Sequence, residues 1–134
     1  MIKLSANSGA LYSYNINNNY ELKLYEQVLP SIFGKHCLVF ADYKIYNKLK
    51  KSKILNLTSK CQDANLLVGY RFDDIDTKCL NKPIFSTTAR SYKNQKNSFG
   101  AFYWMKGRPQ IRFDKCVLDK FDLKLPDNLK EFAR

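Results

Sequence analysis

The sequence is short of the residues from which metal and catalytic centres are usually assembled. It holds one histidine, His36, and its four cysteines (Cys37, Cys61, Cys79 and Cys116) include no CxxC pair. A zinc site, which needs ligands paired at short spacing, is therefore not expected. The five glycines are scattered at positions 9, 34, 69, 100 and 107, which excludes a glycine-rich phosphate loop. Asp73, Asp74 and Asp76 crowd together but lack the glycine and the closing glutamate of an EF-hand loop. His36 and Cys37 are adjacent, and neighbours in a strand point to opposite faces, so they do not make a nucleophile–base pair. No metal, no cofactor and no catalytic residue is expected, and the chain reads as non-enzymatic.

Two further absences concern location and partners. No apolar run approaches the length of a membrane-spanning helix, and Met1-Ile2-Lys3-Leu4 is not followed by the apolar core of a signal peptide. The expectation is a soluble chain whose signal peptide, if the protein is exported, is not among these residues. Arginine is scarce: eighteen of the twenty-three cations behind the formal net charge of +11 are lysines. A nucleic-acid face favours Arg, whose planar guanidinium grips phosphates and guanine edges bidentately. Together with the twelve asparagines, the lysine excess reads as compositional bias on a solvated surface, and nucleic acid is not the expected partner.

What is present is core material. Hydrophobic residues make up 45% of 134 residues, with nine Tyr, nine Phe and one Trp, enough for one domain to fold alone. Residues 1–18 are polar and read as a flexible arm, leaving 19–134 as the domain. From Asn19 a helical pattern (Leu22, Tyr25, Val28, Leu29, Ile32) runs toward Gly34, with Pro30 predicting a kink or an end near Leu29. HCLVFA at 36–41 is a buried-strand run, and Asp42 caps a helix with Ile45, Tyr46 and Leu49 inward and Lys44, Lys48, Lys50 and Lys51 on a solvated face. Residues 53–57, 65–70 and 83–88 read as further strands, and 89–97 as a polar loop.

The last third organises the rest. Phe99, Ala101, Tyr103 and Met105 alternate with Gly100, Phe102, Trp104 and Lys106, a strand apolar on both faces. A turn at Lys106 to Pro109 leads to a second strand with Ile111 and Phe113 on one face and Arg112 and Asp114 on the other. Helical segments follow near 117–121 and 129–133. The expected fold is a single-domain α/β mixed sheet, mostly parallel and flanked by helices, closed by an antiparallel hairpin over 99–115.

In an open α/β sheet ligands bind beyond the carboxyl ends of the strands. Arg71 with Ser86, Thr87, Thr88, Arg90 and Ser91 is the candidate set for a small anionic ligand. On the hairpin, Phe102, Trp104, Arg108 and Arg112 are candidates for packing against a helix, a second copy or a partner. The cysteines leave two readings open, disulfides in an oxidising compartment or buried thiols in a reducing one.

The order of these motifs resembles the YfiR-like proteins of Gram-negative bacteria. The resemblance is carried by Gly100 to Met105 (GAFYWM), Ile111-Arg112-Phe113, Val117 to Phe121 and Leu129 to Ala133, and upstream by Cys37-Leu38-Val39-Phe40, by Cys61 before Leu66 to Val68, and by Lys82-Pro83-Ile84-Phe85. It departs at Leu29-Pro30, where the family has Trp-Pro, and at Phe99-Gly100, where it has two glycines. The resemblance implies a periplasmic, non-enzymatic regulator, commonly dimeric, that binds a membrane diguanylate cyclase and restrains cyclic di-GMP synthesis. It also implies disulfides, with Cys61–Cys79 as the first pairing, Cys37–Cys61 as the rival and Cys116 unassigned. A periplasmic small-anion binder is the alternative.

Overall fold

The longest helix, α1 (Tyr14–Phe33), lies across one face of the sheet and buries Leu24, Tyr25, Val28 and Leu29 there. The computed structural model describes residues 14–72 and 75–134. Of the expected N-terminal arm, residues 1–13 lie outside the described residues, whereas 14–18 are already helical. Nor does the helix end near Leu29: it continues through Pro30 to Phe33, where Gly34, at φ +90°, donates its N–H to the Pro30 carbonyl at 2.8 Å. Proline removes a single helical N–H. The turn beyond it puts the Phe33 ring 5.5 Å from that of Phe99, and this packing holds the last turn in place.

After α1 the chain runs β1 (Leu38–Ala41), α2 (Tyr43–Leu49), β2 (Asn56–Leu57), a 3-10 turn at Cys61–Asp63, β3 (Leu66–Gly69), a 3-10 turn at Thr77–Asn81, β4 (Ile84–Ser86), α3 (Ala89–Asn94), β5 (Ser98–Met105), β6 (Arg108–Phe113), α4 (Lys115–Lys120) and a 3-10 segment at Asp127–Phe132. The six strands form one sheet in the order β2-β1-β3-β4-β5-β6. All pairs are parallel except the β5–β6 hairpin, so the mixed, mostly parallel α/β sheet expected from sequence is the fold. Only Asn56–Leu57 of the expected 53–57 strand enters the sheet. The expected polar loop at 89–97 contains α3, because Thr88 accepts the Ser91 N–H at 3.1 Å and caps it.

The two faces are covered by different means. On the first, α1, α2 and α4 pack over Val39, Leu66, Val68, Phe85, Phe102 and Ile111. On the second, Leu67 and Ile84 are covered by the 3-10 turns, whose Cys61 and Cys79 form a disulfide with Cα atoms 5.9 Å apart. Cys37 is a buried free thiol, raised in pKa by burial, and Cys116 is free and exposed, so the rival Cys37–Cys61 pairing does not form. The alternation expected in β5 breaks at its start. Ile84 pairs with Ser98 and Phe85 with Gly100, a bulge that turns Phe99 to the α1 face beside Phe85, away from Ala101 and Tyr103. The second face of β5 is correspondingly thin, and Met105 is 49% exposed.

Candidate functional site

The strand order places a reversal between β1 and β3. The chain leaves β1 through α2 on the first face, and it leaves β3 toward the 3-10 turn at Thr77–Asn81 on the second. Connections that part to opposite faces leave a crevice beyond the carboxyl ends of the two strands. A cleft of about 620 Å³ opens there, walled by Phe40, Tyr43, Tyr46, Tyr70 and Phe72, with the cations Lys44 and Arg71 among its lining. This is the size of a small-ligand site.

Asp42 builds the cleft. It follows β1 directly and is 4% exposed. One carboxylate oxygen accepts the Ile45 N–H at 2.9 Å and caps α2. The other accepts the N–H groups of Tyr70 and Arg71 at 2.7 and 3.1 Å, which fixes the turn leaving β3 against the start of α2. Gly69 makes this possible: at φ +145°, a Cβ there would lie 2.3 Å from the Asp42 carboxyl carbon. Three backbone N–H groups thus surround one charge, and the walls of the cleft are set before any ligand arrives.

Tyr46 corrects the expected pattern. The apolar spacing puts it on the inner face of α2, but in a seven-residue helix that face is filled by Ile45 and Leu49, and Tyr46 stands 45% exposed beside Tyr43 at 82%. The ring positions that line the cleft follow from that rotation. Among the sequence candidates, Arg71 lines the cleft, while Ser86, Thr87, Thr88, Arg90 and Ser91 do not.

Those five residues occupy the end of β4, where the polar groups are turned on one another. The Ser86 and Ser98 hydroxyls are 2.7 Å apart, Ser91 donates to Ser86 at 3.1 Å, and Ser98 donates to the Gly100 carbonyl at 3.1 Å. All three serines are buried. Thr88 is the cap of α3, the Thr87 N–H donates to the Gly69 carbonyl at 3.3 Å, and Arg90 is exposed on α3.

On the hairpin, Phe102 is 1% exposed and meets Tyr25 and Trp104 edge-on, with ring centroids 6.1 and 5.7 Å away. It takes the helix contact among its expected roles and offers no surface to a partner. Trp104 donates its indole N–H to Glu21 at 3.3 Å. Glu21 also accepts from the Tyr25 hydroxyl and pairs with Lys48, each at 3.0 Å, so one carboxylate joins α1, α2 and β5. Burial, and then the nearby Glu21 charge, hold the Tyr25 hydroxyl well above its ordinary pKa. Sequence reasoning missed Glu21, two of whose three partners are 27 and 83 residues away.

Arg108 and Arg112 are exposed on the edge strand β6. Arg112 donates to the Ile111 carbonyl and to the Gln110 side chain, both at 3.1 Å. The Phe113 carbonyl accepts the Arg134 N–H at 3.0 Å, so the backbone groups of Phe113, Ile111 and Pro109 face away from β5. Proline has no N–H and the Ile111 carbonyl is engaged, which leaves the Ile111 N–H as the open donor of that edge. Among the described residues no group of three or more His, Cys, Asp or Glu is arranged to hold a metal, and no helix is long and apolar enough to cross a membrane.

No protein-family model matches this chain, and no curated protein matches it. A crystal structure of a conserved domain protein from Vibrio cholerae O1 biovar eltor strain N16961 is similar over 87% of the chain, with a TM-score of 0.56 and 10% sequence identity. That likeness shows the fold alone. The chain spans 58% of the Vibrio protein's length.

Proposed function

We propose that this chain is a non-enzymatic sensing domain of an oxidising compartment, the periplasm, that takes a small ligand in the crevice between β1 and β3. The observation that carries the reading is the cleft itself. Its aromatic walls suit a flat apolar body, and Lys44 suits a negative charge on the same molecule. Asp42 is held by three backbone N–H groups, and the serine hydroxyls bond to one another. The Cys61–Cys79 disulfide supports an oxidising compartment. The resemblance of the motif order to YfiR-like regulators supports a membrane diguanylate cyclase as the protein that reads the liganded state.

Thermal unfolding against a panel of aromatic carboxylates and aryl phosphates, with aliphatic amines as controls, tests the ligand. A molecule that binds only the folded state raises the Tm. The expected result is a rise with aromatic anions that disappears in Tyr46→Ala, whose unliganded Tm is unchanged. A flat panel overturns the reading.

A further inference from the structure

The exposed apolar side chains are not spread over the surface. Of the four large hydrophobic residues exposed among the described residues, Tyr43, Tyr46 and Ile54 lie on α2 and the turn after it, and only Met105 lies elsewhere. Residues 43–60 also contain six lysines and no aspartate or glutamate. Apolar exposure and positive charge thus coincide in one short stretch of sequence, where Lys48 is paired with Glu21 and Lys44, Lys50, Lys51, Lys53 and Lys60 are the exposed cations.

The exposure of Ile54 is imposed by the fold. The Ser52 hydroxyl accepts the N–H groups of Ile54 and Leu55, both at 3.0 Å, and donates to Glu26 on α1. That clamp turns Leu55 into the core at 8% exposure and leaves Ile54 outward at 54%. Lys50, Lys51 and Lys53 are exposed around it. Lysine alone would be a solvated helix face, as the sequence suggested. A fixed aliphatic side chain and two tyrosines among the lysines change what the face rewards.

We infer that the outer surface of α2 and the turn through Ile54 dock on an anionic lipid surface. Lysines there meet the headgroup charge, while Ile54 and the tyrosine rings enter the boundary between headgroups and acyl chains, where amphipathic and aliphatic side chains are favoured. Nucleic acid offers the same negative charge but gives an exposed isoleucine nothing to enter, and the stretch contains no arginine. The inference goes beyond the cleft, with which it shares Tyr43, Lys44 and Tyr46. Lys50, Lys51 and Ile54 do not line the cleft.

Sedimentation of the full chain with vesicles of phosphatidylglycerol and phosphatidylcholine, against vesicles of phosphatidylcholine alone, tests the docking. Binding to the anionic vesicles and none to the neutral ones is expected. Lys50→Ser with Lys51→Ser and Ile54→Ser should weaken partitioning roughly thirty-fold or more, from about tenfold per 1.4 kcal/mol and about 1 kcal/mol per lysine at the surface. Lys93→Ser with Lys96→Ser and Lys124→Ser, which removes three exposed charges elsewhere against two in the patch, should leave most of the binding intact. Tyr43→Trp should be quenched by brominated lipid more strongly than the native Trp104. An equal loss in the two triple variants would mean diffuse attraction by net charge and would overturn the inference. So would no binding at low salt, an unquenched Trp at position 43, or patch-dependent binding to an oligonucleotide in place of vesicles. A ligand-induced rise in Tm that persists in the Lys50, Lys51 and Ile54 variant separates the failure of this inference from failure of the cleft.

Discussion

The crevice beyond β1 and β3 and the end of β4 begin from similar material and finish as opposites. Both follow short buried strands, and both bring polar side chains to a strand's carboxyl end. At β4 the hydroxyls of Ser86, Ser91 and Ser98 satisfy one another and are buried. At β1 and β3 a single carboxylate satisfies three backbone N–H groups, which leaves the side chains of Tyr43, Tyr46 and Tyr70 free to form walls. The difference arises from topology. The connections leaving β3 and β4 cover the same face, so no gap opens between them, whereas those leaving β1 and β3 part. Polar residues at a strand end become a site only where the chain also opens a space.

The comparison can be broken first at Asp42. Asp42→Ala removes the cap of α2 and strands two further N–H groups, and urea unfolding should show a loss of about 3 kcal/mol together with loss of the ligand response. Gly69→Ala drives a methyl into the same carboxylate and should cost about 2 kcal/mol by the same measurement, again with weakened ligand binding. Ser86→Ala, at the closed end, should cost about 1 kcal/mol and leave the ligand-induced rise in Tm untouched. If Ser86→Ala abolished that rise, the two ends would not be distinct.

The closed side also carries an alkaline signature. Burial, then Asp114, pushes the Tyr92 hydroxyl of α3 up to about 12. Below about pH 10 the folded and unfolded chains both hold this proton and the group contributes no pH dependence. Between about pH 10 and about 12 the unfolded chain gives up a proton that the fold retains, so stability falls as pH rises. Unfolding midpoints across that window should fall less steeply in Tyr92→Phe, and less steeply also in Tyr25→Phe, whose hydroxyl is shifted in the same direction.

How much of this was legible beforehand varies with the range of the interaction. Strands such as Leu38–Ala41 and Leu66–Gly69 are short apolar runs that announce themselves, and Asp42 reads as a cap from its neighbours alone. The hairpin is equally local, with Lys106 and Gly107 both at positive φ in its turn. The cleft was only half legible. Arg71 stands out because it follows a buried strand, but it groups with Ser86 to Ser91 only if β3 and β4 flank the crevice. The partner across the crevice is β1, and strand order leaves no mark in the sequence. Phe99 was assigned to the wrong face because a bulge is a property of two paired strands. Tyr46 was turned inward because a seven-residue helix gives too few apolar positions to fix its rotation. Glu21 could not be found at all, since its charge is answered by residues far away in sequence.

The blunted rim of β6 has a consequence for how this protein meets anything else. A sheet can be lengthened by another chain only where its outer strand offers a row of donors and acceptors. Here one outer strand is two residues long, and the other presents proline, an arginine-capped carbonyl and a C-terminal segment folded back over Phe113. Among the described residues, the two rims thus offer few open groups to an added strand. Edge-to-edge pairing is disfavoured at both rims, which turns any recognition toward side chains.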